Sequence, residues 1–100
     1  MLKHIVMWKF IDGAHDRSCA EHALWMKEHL EALLGVVPEI IHIEVGINSS
    51  KSPMAYDAVL TLVVEDAEAL QRYRLHPEHQ KISQYCHEVR SARTVVDYII

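Results

Sequence analysis

Ala58-Val59-Leu60-Thr61-Leu62-Val63-Val64 is a run of leucines and β-branched residues with a single polar member and no breaker. Such a run reads as a buried strand, expected here over Tyr56 to Val64. The strand-like segment before it, Ile40 to Ile47, places Ile41, Ile43, Val45 and Ile47 on one face. Only Asn48-Ser49-Ser50-Lys51-Ser52-Pro53 lies between them, a polar loop that is long for a hairpin and expected to be mobile. Parallel neighbours would need a crossover helix in that gap. The two strands therefore pair antiparallel.

On the amino-terminal side, His4 to Phe10 reads as another strand, stopped by Asp12-Gly13. Ser18 followed by Glu21 fits a capping box, with Asp16 as the competing cap, for a helix over about Arg17 to Leu34. Ala23, Met26, Leu30, Leu33 and Leu34 form its apolar stripe, and Gly35 is its expected C-cap. On the carboxyl-terminal side, Asp66 caps a helix reaching Tyr73, and Pro77 breaks it. A third helix is expected over about Glu78 to Glu88 and a last strand near Arg93 to Ile99. The order β-α-β-β-α-β makes residues 1–100 one α+β domain of the ferredoxin-like type, an antiparallel sheet with helices on one face.

A sheet covered on one side should alternate apolar and polar residues. Ile5-Val6-Met7-Trp8 and Ala58 to Val64 do not. Leaving Ile5, Met7, Val59 and Val63 in water would forfeit about 1.5–3 kcal/mol each. A second copy of the chain is the simplest cover, so a homodimer is expected.

Half of the 100 residues are apolar and the formal net charge is −4, an ordinary globular balance without the basic face that nucleic-acid binding needs. No apolar run approaches the ~20 residues of a membrane span, and Met1-Leu2-Lys3-His4 enters a strand without a signal-like apolar core. Neither nucleic acid nor membrane is an expected partner. Cys19 and Cys86 read as two reduced thiols, consistent with a cytoplasmic protein. Of the eight histidines, His15, His22 and His29 recur every seven residues beside Glu21 and Glu28, which reads as a solvated or interface-edge stripe if the helix reaches back to His15.

Chemistry concentrates in Tyr73-Arg74-Leu75-His76-Pro77-Glu78-His79. The proline break can aim the Tyr73 phenol and both imidazoles, His76 and His79, inward together, which one straight helix cannot. His79 suits a proton acceptor near neutrality, and Tyr73 suits a hydrogen-bond donor to an oxygen that gains charge. His76 can instead bond backbone freed by Pro77. His76 and His79 have a chelating spacing that His4 could complete, but no HExxH or CxxC pattern accompanies them. No metal or other cofactor is expected. Trp8 shares a strand face with His4 and Val6, which makes it a candidate pocket wall.

His4-Ile5-Val6-Met7-Trp8-Lys9-Phe10, Val45-Gly46, Tyr56-Asp57 and Tyr73-x-x-His76-Pro77-x-His79 together resemble the stress-responsive dimeric α/β-barrel (Dabb) domain family, in order and over essentially the whole chain. The resemblance implies a dimeric barrel of two ferredoxin-like protomers. It also implies a pocket between sheet and helices in each protomer. Some members are plant stress or defence proteins, and some cyclise polyketides by an aldol-type reaction. Carried over by position, His79 is the base, Tyr73 assists it, and His4 lines the pocket. Val6, Trp8, Leu60, Met26, Leu30 and His76 complete the expected ligand-binding set. The chain departs from the cyclases at Ala58, where they hold a histidine, and at Met26, Lys27 and Leu30, where they hold bulky aromatics. Three readings follow: a small-molecule-binding barrel with cyclase- or lyase-like proton transfer on a carbonyl or phenolic compound, a non-enzymatic stress or interaction protein, and a cofactor-free monooxygenase.

Overall fold

The computed structural model covers residues 1–100. Its strands β1 (Leu2–Phe10), β2 (His42–Ile47), β3 (Ala58–Val64) and β4 (Arg90–Ile99) form one antiparallel sheet in the order β2-β3-β1-β4. Helix α1 (Cys19–Glu31) links β1 to β2, and α2 (Ala67–Leu75) with α3 (Pro77–Val89) links β3 to β4. This is the ferredoxin-like α+β arrangement expected from the sequence, with the second helix divided at Pro77. No helix is long and apolar enough to cross a membrane.

Several boundaries differ from the sequence reading, each for a local reason. Helix α1 begins at Cys19 rather than Arg17, because Ser18 is the N-cap and Arg17 is extended. The Ser18 hydroxyl accepts from the Glu21 amide at 3.2 Å while the Glu21 carboxylate accepts from the Ser18 amide at 2.9 Å. The helix ends at Glu31 with Ala32 as its C-cap, so Gly35, at φ +85°, serves a later turn and Leu34 is exposed. Strand β4 starts directly after α3 at Arg90, and β2 starts at His42. Within β2 only Ile43 and Val45 are buried, while Ile41 and Ile47 at its ends are about half exposed.

Two pieces of the family pattern serve the backbone. The Asp57 carboxylate accepts from the Phe10 amide at 2.7 Å, tying the loop before β3 to the end of β1. A Cβ on Gly46 would meet Val59 Cγ1 at 3.1 Å, a tight contact that Val59 would have to relieve by a few tenths of an ångström.

The inner sheet face, with Val6, Leu60, Leu62 and Val64, packs against Met26 and Leu30 of α1, Tyr73 of α2 and Ile82 and Val89 of α3. Burying each such aliphatic side chain contributes about 1.5–3 kcal/mol. The outer face centres on Ile5, opposite Thr61 and Val96, and Met7, opposite Val59 and Thr94. Val96 is 55% exposed, Tyr98 44% and Met7 39%. Val63 departs from expectation: it is buried on that face, between Lys3 and His42 in the register.

The histidine stripe does not exist as one surface. His15 lies in a 3-10 turn (Ala14–Asp16) before α1, at φ 52°, and pairs with Glu88 at 3.0 Å. His22 is fully buried and shares a 2.6 Å hydrogen bond with the Tyr85 hydroxyl. His29 is exposed and stacks on Trp25 at 3.8 Å, with Tyr85 on Trp25 at 3.7 Å. The Ser18 cap starts the helix after His15, so the condition for one stripe is not met.

Candidate active site

The site begins with the helix break. His76 is extended (φ −62°, ψ 131°), as a residue before proline must be, and Pro77 occupies the first position of α3. The His76 ring accepts from the Glu78 amide at 3.1 Å through Nδ1, capping α3 with its own side chain. On an unbroken helix Tyr73 and His79 would point about 120° apart. The break instead brings their rings to a centroid distance of 4.3 Å.

Both face a cavity of about 60 Å³ between the sheet and the helices, room for a few water molecules. His4, Val6 and Trp8 of β1 with Leu60 of β3 line the sheet side. Met26 and Leu30 of α1 with Ile82 and Cys86 of α3 line the helix side. At its mouth, Arg74, Ser83, Arg90 and Arg93 lead into a polar surface groove of about 450 Å³ that continues past Gln80, Gln84 and His87.

Hydrogen bonding fixes the role of each ring nitrogen. His79 Nδ1 lies 3.1 Å from the Arg74 carbonyl, which can only accept, so Nδ1 carries the hydrogen and Nε2 keeps its lone pair. His4 Nδ1 lies 2.5 Å from the Asp97 carboxylate and likewise donates, leaving Nε2 as the acceptor. Burial pushes the His79 pKa below its ordinary value, partly offset by the Arg74 carbonyl and reinforced by His4, Arg74 and Arg93. Burial also lowers His4, against the upward pull of Asp97. Both imidazoles are therefore neutral at pH 7, the form a base requires. Tyr73 is 1% exposed, and its hydroxyl has no hydrogen-bond partner in the protein. Burial raises its pKa far beyond the ordinary phenol range, against Arg74 and Arg93, so it remains a proton-bearing donor.

The sequence model of the Stress responsive A/B Barrel Domain matches residues 2–100. The chain belongs to that family. An uncharacterized protein of Streptomyces coelicolor is 36% identical over 80 residues, 80% of either chain. Among solved structures, a dimeric ferredoxin-like protein of unknown function from Bacteroides fragilis is 29% identical with a TM-score of 0.83, covering 99% of this chain and 95% of that one. Hydroxynitrile lyase from Passiflora edulis has the same fold, with a TM-score of 0.80 at 12% identity and coverage of 99% and 92%.

Within this A/B barrel domain the structure gathers Tyr73, His79, His4, Val6, Trp8, Leu60, Met26 and Leu30 around one cavity. His76, expected among them, is not in its lining; its ring caps α3. Lys27 points elsewhere, bonding Glu31 and the Val45 carbonyl at 2.7 Å each. Ala58 is buried opposite Trp8 in the strand register and is not in the cavity lining. Sequence reasoning missed Asp97 and the three mouth arginines. Asp97 is the only acid in β4, and its period-two spacing from Arg93 puts both on the cavity side; that was the available signal.

Proposed function

We propose that this chain binds a small carbonyl or phenolic compound in the cavity and transfers a proton on it. His79 Nε2 removes a proton from the carbon beside the carbonyl or from a hydroxyl. The Tyr73 hydroxyl donates to the oxygen where negative charge gathers. In an aldol-type step the resulting carbanion attacks a second carbonyl, and the proton returns from His79 to the new alkoxide. His4, held by Asp97, positions the ligand through its own Nε2. A lyase step runs the same bookkeeping backwards. The observation that carries this reading is the pairing of an imidazole whose Nδ1 is committed to the Arg74 carbonyl with a buried phenol that has no protein partner. Membership in the A/B barrel family and a hydroxynitrile lyase of the same fold are in keeping with it.

The working unit is proposed to be a cytoplasmic homodimer. The exposed apolar centre of the outer sheet face and the dimeric Bacteroides fragilis protein support the dimer, and two free thiols fit a reducing compartment. Thermal shifts across a library of carbonyl and phenolic compounds test the site. Stabilising ligands for the wild type should lose their effect with His79→Ala and with Tyr73→Phe. Equal shifts in both variants would remove the cavity from consideration. Binding without any turnover of histidine-like pH dependence would favour a carrier or sensor over an enzyme.

A further inference from the structure

The cavity and the groove outside it differ in chemistry. The inner chamber is walled mostly by apolar side chains, while no hydrophobic residue lines the groove. Arg74, Arg90 and Arg93 belong to both. In a chain whose net charge is −4, this places three guanidinium groups at one opening.

Their neighbours leave most of that charge unmatched. Asp97 is the one carboxylate that pairs with any of them, reaching Arg74 at 3.9 Å while its other oxygen is held by His4. Arg90 reaches the ring of His87 at 3.3 Å and the Cys86 thiol but no carboxylate, and Arg93 has no ion pair or side-chain hydrogen bond. The Arg93 pKa is depressed by burial and by Arg90 and Arg74, as expected where like charges crowd a half-sheltered opening. Like charges held together without structural partners destabilise a fold, and a ligand that neutralises them regains that loss on binding. Planar guanidinium forks match carboxylate and phosphoryl oxygens in particular.

Resting on the proposed use of the cavity, we infer that the compound it takes is an anion, with its carbonyl or phenol end beside His79 and Tyr73 and an oxyanion group held outside by Arg90 and Arg93. Uncharged aldehydes and phenols of equal size are then poor ligands. The oxyanion is a carboxylate or a phosphoryl group, and the size of the groove admits either.

A matched set of compounds tests this: para-formylbenzoate, its uncharged isostere para-formylbenzamide, and para-formylphenyl phosphate, titrated into the full chain by calorimetry at low and high salt. The benzoate or the phosphate should bind at least tenfold more tightly than the benzamide at low salt, with the advantage shrinking as salt rises. The tighter of the two charged compounds identifies the oxyanion. Arg90→Gln and Arg93→Gln should each cut the charged-to-neutral affinity ratio severalfold, the double variant should abolish the preference, and Arg93→Lys should restore part of it. Circular dichroism checks that these variants fold. Equal affinity for benzamide and benzoate, or a ratio unmoved by the arginine variants, overturns the anionic subsite while leaving the cavity reading intact. Failure of all three compounds to bind overturns both.

Discussion

Tyr73 carries the sharpest consequence of the site's geometry. A buried hydroxyl without a partner costs stability, about 1–3 kcal/mol of desolvation. Tyr73→Phe should therefore leave the free-energy of unfolding unchanged or raise it by up to about 1 kcal/mol, while ligand-induced stabilisation disappears. Denaturant melts with and without ligand measure both. Loss of stability in Tyr73→Phe would mean the hydroxyl has a structural partner. The histidines give a pH signature. His4 and His79 both have folded pKa values below the ordinary ~6.5, so their contribution to stability is complete above that pH. It is lost as pH falls from there through the folded values, where the unfolded chain binds more protons. Stability measured across that window should fall towards acid, and His79→Gln should flatten the slope. Base-dependent chemistry should fall over the same range. At this scale the sequence pointed to Tyr73 and His79 as neighbours in one cavity, because the Pro77 break between them is a local signal. It concealed Asp97 and the arginines, whose roles depend on which face of β4 meets the cavity.

Among the elements, the broken helix and the capping box make separable contributions. Ser18→Ala removes the hydroxyl half of the reciprocal cap on α1, keeps the residue-18 amide on the Glu21 carboxylate, and should cost about 1 kcal/mol, with ligand shifts retained because the cap lies away from the cavity lining. Pro77→Ala should lower stability by about 0.4–1 kcal/mol, by loosening the unfolded chain, and should also weaken ligand shifts as α2 and α3 gain freedom to merge. Urea unfolding together with the ligand assay separates the two substitutions; an undiminished ligand shift in Pro77→Ala would mean the break does not aim the site. The order of elements and the interruption of the second helix were legible in advance, since hydrophobic period, Asp66, Ser18 and Pro77 are local signals. The helix ends and the fate of His22 were not. Gly35 resembled a C-cap in sequence but sits beyond one, and His22 is buried through its contact with Tyr85, a residue distant along the chain.

The whole molecule presents two faces with different fates. Helices close the inner sheet face over β1, β2 and β3, whereas Met7, Val96 and Tyr98 remain exposed on the outer one. Val96→Lys should convert a dimer to a monomer in sedimentation equilibrium and make the melting temperature lower and independent of concentration. A wild-type chain that sediments as a monomer at all concentrations would remove the dimer. Two-faced strands signalled this surface in the sequence, with a second copy of the chain as its simplest cover, and the similar Bacteroides fragilis protein is dimeric. The most direct test of the site is nitrogen-15 NMR of the histidine rings in the intact protein, with para-formylbenzoate and para-formylbenzamide as probes. The expected result is a neutral His79 protonated on Nδ1, titrating below the ordinary imidazole range, whose Nε2 resonance moves on addition of either probe at saturating concentration. A His79 protonated on Nε2, or one whose resonances ignore both compounds, would contradict the account.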